Sequence, residues 1–364
     1  MRDFEKYLIN KKIKKIFIIT GKNSYFKSKA DKILNNCIKD KEIQIYFKES
    51  YYPEITELKK IITSLKKFNP DLILAVGGGS VLDYAKMANV LKITDNLNRD
   101  IITSNYKVYK KFFKLLAIPT TAGSGAEVTA NSVIYVNKKK YSIEHEELKP
   151  DYFFIIPELI ITANKNIKSS AGFDAISQSL ESLISVKSNS KSIFFAKKSL
   201  MLSFKNYLSY INKPTINNTF KMALAANLSG KAISITKTTA PHALSYPFTA
   251  HFNISHGHAV SLTLNDFMKF NYQNYEKSHT NFDLKKRFEL IFKTAKVKDI
   301  NELDKFLINI KKKARLENNF KKLGININND YSRIVSGVNL LRLKNNPVKI
   351  EQQDLKKILF NISW

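Results

Sequence analysis

The first 160 residues alternate between short β-rich apolar runs and stretches with helical spacing. Lys15-Ile16-Phe17-Ile18-Ile19-Thr20 is a compact apolar run closed by Gly21, which reads as a strand entering a turn. A helix is expected from about Ser24 to Lys39, and a second strand over Ile43 to Phe47. Between Glu54 and Phe68, the residues Ile55, Leu58, Ile61, Ile62 and Leu65 recur every three or four positions and share one helical face. Asp71 to Val76 is apolar almost without interruption, as a strand buried on both faces of a parallel sheet must be. A helix is expected over Val81 to Lys92, and a further strand, Lys114 to Ile118, halts at Pro119. This rhythm predicts an open parallel sheet covered by helices on both sides.

Beyond about residue 163 clear strands vanish. Helical stretches run over Ala171 to Ser185, Ile193 to Ile211, Thr219 to Ile235, Ser261 to Phe270 and Leu284 to Ala295. The pattern divides the chain into an α/β domain, residues 1–162, and an all-α domain, residues 163–364, with the boundary between Ile161 and Lys168. No internal repeat or low-complexity linker separates them, so close packing is expected, with a ligand in the cleft between.

Two loops stand out chemically. Val76-Gly77-Gly78-Gly79-Ser80-Val81-Leu82-Asp83 runs from a buried strand straight into a helix. Consecutive glycines permit positive φ and close approach of a ligand. Ser80 offers a cap, and the helix start offers N–H groups to an anion. A tight turn with no ligand is the plainer reading of the same residues. The second loop, Ile118 to Thr129, packs hydroxyls and glycines together after the next strand. The pair of loops suits phosphates, ribose and a carboxamide.

Composition narrows the classes. The net charge of +29 would suit nucleic acid, anionic lipid or an anionic substrate, or a lysine-rich genome with solvated faces. The lysines are dispersed and no RRM, KH or helix-turn-helix signature appears, which argues against nucleic acid. The longest apolar stretch, Tyr152 to Thr162, contains Pro157 and Glu158 and falls short of the roughly 20 residues a membrane span needs. The mixed charge of Met1 to Lys6, with no apolar run behind it, argues against a secretory signal. Cys37 is the single cysteine, so no intrachain disulfide forms and a reducing cytoplasm is expected.

Four stretches, spaced along most of the chain, together resemble the iron-containing, metal-dependent alcohol dehydrogenase family. They are GGGSVLDYAK (Gly77 to Lys86), IPTTAGSGAEVT (Ile118 to Thr129), AGFDAISQSLES (Ala171 to Ser182) and PHALSYPFTAHFNISHG (Pro241 to Gly257). The resemblance implies a Rossmann-like dinucleotide-binding α/β domain followed by an all-α metal domain, the fold shared with dehydroquinate synthases. It implies NAD(P)H and a divalent cation, Fe²⁺ or Zn²⁺, as cofactors. It puts Gly77, Gly78, Gly79, Ser80, Asp83, Thr120, Thr121, Ser124 and Lys140 on the dinucleotide side. It puts Asp174, Gln178, His242 and His256 at the metal, with Gln178 standing where the family carries a histidine. Residues i and i+4 share a helix face, so Gln178 could add an amide oxygen or turn away. Tyr246 is a second departure, again at a position where many members carry a histidine in the proton path. His251, His258 or the cofactor ribose could replace it.

Within the family, the closer resemblance is to phosphonoacetaldehyde reductases. It rests on Lys237 to Thr249, Ser255 to Leu264, Lys139 to Asp151 and Val338 to Pro347, with Gln178. It implies reduction of a small aldehyde, phosphonoacetaldehyde first, to a primary alcohol. His242, Tyr246, His256 and Lys237 are the catalytic candidates. Lys237, His145 and Lys231 are the cations for an anionic substrate. Lys231 and Lys237 are six residues apart and so fall on different flanks of a regular helix. Another small aldehyde or polyol, or a non-redox ring cyclase of the same superfamily, stands as an alternative. The expected partners are a small anionic aldehyde and at most a second copy of the chain as a homodimer, with no nucleic acid and no membrane. Glu49 would favour NAD and Lys48 NADP at the end of the second strand, so the choice between them stays open.

Overall fold

The computed structural model describes residues 2–137, 139–338 and 340–362. Asn339, inside the stretch Val338 to Pro347, lies outside the described residues. The chain divides into two compact units, Met1–Thr121 with Gly125–Ala163, and Ala122–Ser124 with Asn164–Trp364.

The first unit begins with α1 (Arg2–Asn10), β1 (Lys15–Gly21), α2 (Lys22–Lys27), α3 (Ala30–Ile38), β2 (Glu42–Lys48) and α4 (Ile55–Phe68). It continues with β3 (Leu72–Gly77), α5 (Gly79–Ala88), α6 (Leu97–Ile102), β4 (Lys114–Pro119), β5 (Asn131–Val136), β6 (Lys139–Glu144), β7 (Tyr152–Phe153) and α7 (Pro157–Ile160). Five strands form a parallel sheet in the order β2-β1-β3-β4-β7. Because side chains alternate across a strand, its apolar runs feed two cores. Phe17, Ile19, Ile73, Ala75, Leu115 and Ala117 pack with the inner faces of α4 and α5. Ile16, Ile18, Leu72, Leu74, Leu116 and Ile118 pack with residues of α1, α2 and α3.

Three details differ from expectation. The helix expected over Ser24 to Lys39 is two helices, parted where Lys29 turns left-handed at φ 61°. The helix after the glycine turn ends at Ala88, because the Asn89 side chain pairs with both the N–H and the carbonyl of Phe113 at 2.9 and 2.8 Å. An antiparallel hairpin, β5 with β6, and the short β7 fill a region where no strand was expected.

The second unit is helical: α8 (Lys165–Ile184), α9 (Ser190–Asn212), α10 (Ile216–Thr236), α11 (Ala240–Phe252), α12 (His256–Gln273) and α13 (Leu284–Ala295), then α14 (Ile300–Lys313), α15 (Ile327–Ser336), α16 (Leu340–Leu343) and α17 (Gln352–Ile362). Helix α8 is its axis. It packs against α9, α10, α12 and α13, and is buried almost without a break from Lys168 to Ile184. A buried helix with this many serines satisfies its hydroxyls inwardly: Ser177 and Ser179 each donate to the carbonyl four residues back. No helix among the described residues is long and apolar enough to cross a membrane.

Candidate functional site

In the first unit, β3 delivers the chain to the glycine turn. None of Gly77, Gly78 and Gly79 adopts positive φ, so conformational freedom is not why they are glycines. At Gly77 the reason is steric, since a Cβ there would sit 2.5 Å from a Val81 methyl. Gly78, not Ser80, is the N-cap of α5, and no side chain caps it. Ser80 lies inside the first turn. A ten-residue helix whose start no side chain closes, reached through residues without Cβ, suits a phosphate. Thr121 approaches the same turn, its hydroxyl 3.5 Å from where a Gly78 Cβ would stand. Thr120 closes the loop onto the turn, its N–H donating to the Gly77 carbonyl at 3.0 Å.

Asp83 points into the protein. Its carboxylate accepts from the Val133 N–H at 3.1 Å and lies 3.8 Å from the Lys86 ammonium. Burial pushes its pKa up, against the pull of Lys86, the Val133 N–H and Lys140. Lys86 is wholly buried and donates to the Ala126 carbonyl, the Thr129 hydroxyl and the Asn131 carbonyl at 3.2, 2.9 and 2.5 Å. The Asp83–Lys86 pair thus ties α5 to the segment leading into β5. Lys140 lies on β6, and its charge reaches Asp83. His145 is exposed and has a local task, capping a short 3-10 turn by accepting from the Glu147 N–H at 3.1 Å.

At the end of β2, the Lys48 ammonium turns onto the Ser50 carbonyl, while Glu49 reaches Lys60 at 3.8 Å. Glu57, which the hydrophobic pattern passed over, orders this corner. It is buried and accepts from the Glu49 and Ser50 N–H groups at 2.6 and 3.0 Å and from the Tyr84 hydroxyl at 2.8 Å.

In the second unit, Asp174 from α8, His242 from α11 and His256 from the start of α12 converge. One ligand atom from each lies within 4.8 Å of the others. Gly257 makes this possible. A Cβ there would stand 2.0 Å from the Ser170 carbonyl oxygen and 2.8 Å from Asp174 Cβ, so only glycine lets α12 start against α8. His242 Nε2 is 3.2 Å from Asp174 Oδ1. The ring of His256 is 5.3 Å from that of His242, and the ring of Tyr246 stacks on that of His256 at 6.2 Å.

Glu181, absent from the sequence reading, completes the centre. It is fully buried on α8. One oxygen, Oε2, makes a short hydrogen bond to His242 Nδ1. The other accepts from the Thr239 N–H, the Thr239 hydroxyl and the His242 N–H at 2.9, 3.0 and 3.3 Å. The signal was present: Asp174, Gln178 and Glu181 are spaced i, i+4, i+7 on one helical face. Burial alone would raise the Asp174 pKa, but its hydrogen bond to His242 and the charges of the two histidines hold it below the usual carboxylate range. Burial works against a charged His242, yet Glu181 and Asp174 together push its pKa up to about 9. A carboxylate and two imidazoles, one of them oriented by a further carboxylate, fit a divalent cation such as Zn²⁺ or Fe²⁺.

The other candidates are placed as follows. Gln178 is buried beside Asp174, its Nε2 3.1 Å from Oδ2. Ser124 falls in the second unit, where its carbonyl is 3.5 Å from the same Nε2. Lys237 is not on a regular helix but caps α10 at φ 60°, ψ −179°. Lys231 is half-buried on α10, its ammonium 5.9 Å from the Phe195 ring. His251 is exposed. His258 Nε2 is committed to the Glu317 carbonyl at 2.7 Å.

Residues 1–157 match the family model for iron-containing alcohol dehydrogenase, and residues 168–362 match that for the C-terminal part of the Fe-containing alcohol dehydrogenase family. Aldehyde-alcohol dehydrogenase 2 of Entamoeba histolytica is 28% identical over 73% of this chain and 32% of its own length. A phosphonoacetaldehyde reductase of Streptomyces viridochromogenes is 28% identical over 57% of this chain and 55% of its own. The chain thus spans about a third to about half the length of these curated relatives. Among solved structures, sulfoacetaldehyde reductase from Bifidobacterium kashiwanohense in complex with NAD⁺ superposes with a TM-score of 0.88 at 25% identity, covering 99% of this chain and 94% of the other.

Proposed function

Because the chain belongs to the iron-containing alcohol dehydrogenase family, we propose that it reduces a small anionic aldehyde to a primary alcohol with NAD(P)H and a divalent cation. Phosphonoacetaldehyde, giving 2-hydroxyethylphosphonate, is the first substrate to test. The convergence of Asp174, His242 and His256, with Glu181 behind His242, is the observation that carries this reading.

When bound, the cation supplies a Lewis acid to the aldehyde oxygen and the dihydronicotinamide supplies the hydride. The chain does the rest. Gly77 to Ser80 and Thr120 to Thr121 hold the dinucleotide phosphates through backbone N–H groups and hydroxyls. Asp174 and His242 present one atom each to the cation, and Glu181 fixes which ring nitrogen of His242 faces it. Lys237 pairs with the anionic head of the substrate. The product oxygen needs one proton. With His258 spent on the Glu317 carbonyl, Tyr246 beside His256 is the residue we assign to deliver it.

The preference for an anionic aldehyde is supported by two relatives. Phosphonoacetaldehyde and sulfoacetaldehyde, the substrates in their names, are both two-carbon aldehydes bearing an anionic group. The test is oxidation of NADH and NADPH with phosphonoacetaldehyde, sulfoacetaldehyde and propanal, before and after chelation. Turnover of an anionic aldehyde at least 10-fold more efficient than of propanal, lost on chelation and restored by Zn²⁺ or Fe²⁺, is expected. Equal use of propanal sinks the substrate assignment. Full activity after exhaustive chelation sinks the metal role.

A further inference from the structure

Gln178 lies one turn after Asp174 on α8, and its amide is engaged at both ends. Nε2 is 3.1 Å from Asp174 Oδ2 and 3.5 Å from the Ser124 carbonyl oxygen, while Oε1 is 2.8 Å from the Ser229 hydroxyl. A hydroxyl serves either end of an amide, so the other end decides the orientation. Turning the amide over would set its oxygen against an ionised carboxylate and a backbone carbonyl, with no proton among them. The group facing Asp174 is therefore the NH₂, and an amide nitrogen has no lone pair to offer a cation.

We propose that Gln178 is a positioning residue for Asp174 and not a metal ligand. It holds Oδ2 and leaves Oδ1, the oxygen 3.2 Å from His242 Nε2, as the coordinating atom. Glu181 treats His242 in the same way, holding Nδ1 and leaving Nε2. One face of α8 thus carries a ligand, the group that aims it, and the group that aims the next ligand. The cation is held by three protein atoms, one each from Asp174, His242 and His256. This inference rests on the metal-assisted reading above.

The full chain, stripped of metal, is titrated with Zn²⁺ against a chromophoric chelator and with Co²⁺ read by its visible ligand-field absorption. Gln178→Met removes the partner of Asp174 Oδ2, and its Zn²⁺ affinity is expected to fall about 10- to 100-fold, the usual cost of losing an outer partner. At saturation its Co²⁺ bands keep the wild-type pattern because no ligand has gone. A changed Co²⁺ band pattern overturns the proposal, because that is what losing an oxygen ligand at 178 would give, as does Zn²⁺ binding as tight as wild type. Should Gln178→Met fail to fold, Gln178→Leu is read in the same way. A wild-type chain that binds neither ion overturns the metal-assisted reading, and this inference with it.

Discussion

Glu181 grips His242 twice: Oε2 is bonded to the ring Nδ1, and Oε1 accepts from the backbone N–H of the same residue at 3.3 Å. One carboxylate therefore fixes both where α11 starts and which nitrogen of its histidine is available. Gln in its place keeps an acceptor for the backbone but turns an NH₂ toward Nδ1. That forces the ring proton onto Nε2, the nitrogen the cation needs. Glu181→Gln is expected to melt near wild type while losing about 10- to 100-fold in Zn²⁺ affinity by chelator competition. Glu181→Ala, which strips partners from Thr239 and His242, should unfold about 3–5 kcal/mol more easily in a denaturant titration.

Gly257 is the second weak point. Gly257→Ala drives a methyl into the Ser170 carbonyl oxygen at 2.0 Å, so α12 must back away from α8 and take His256 with it. The cost is that of overpacking, about 1–3 kcal/mol. The expected result is a lower melting temperature together with Zn²⁺ affinity reduced at least tenfold. A variant that melts lower but binds Zn²⁺ normally would show that His256 does not depend on this contact.

Lys237 sits at φ 60°, ψ −179°, backbone space that only glycine enters freely. The flanking carbonyls of Thr236 and Thr238 are both clamped by the Asn345 amide at 2.7 and 2.9 Å, which holds the strain in place. Lys237→Gly should relieve about 1–3 kcal/mol of it and raise the melting temperature. If the ammonium serves the substrate, the same variant loses kcat/KM at least tenfold for phosphonoacetaldehyde and little for propanal. A parallel loss for both aldehydes would assign Lys237 to the turn alone.

The pH dependence of stability carries the mark of Lys86. Burial pulls its pKa down to about 8, against the opposing charges of Asp83 and Glu127. Between pH 8 and 10.5 the folded chain has released this proton while the unfolded chain still binds it, so raising the pH across that window favours the folded state through this group. Lys86→Met should remove that contribution. Denaturation midpoints of wild type minus variant, followed from pH 7.5 to 10.5, should climb; a flat or falling difference contradicts the assignment.

The sequence was most legible where one physical cause dominates. The double burial of Leu72 to Val76 left an unmistakable apolar run. Asp174, His242 and His256 were singled out through the family resemblance, since their spacing alone does not bring an acid on α8 to imidazoles on α11 and α12. Glu181 shares a helical face with Asp174 and Gln178, a spacing the sequence displays, but its task shows only once Thr239 and His242 arrive against it. The β5–β6 hairpin escaped because Val133-Ile134-Tyr135-Val136 is apolar at every position, which hides the alternation that marks a half-buried strand. One of the two reasons for the glycine turn fails: none of Gly77, Gly78 and Gly79 takes positive φ, and at Gly77 what excludes a side chain is the Val81 methyl.

The burial of α8 also sets a timescale. Its amides, screened along nearly the whole helix, belong to the part of the protein that opens last, and their hydrogen exchange should follow global unfolding. Asp174, Gln178 and Glu181 all lie within that buried stretch. His256, half-exposed at the first turn of α12, is the member of the trio that solvent reaches. Ion exchange should accordingly begin there, at a rate set by the opening of that turn and not by the strength of the carboxylate bond.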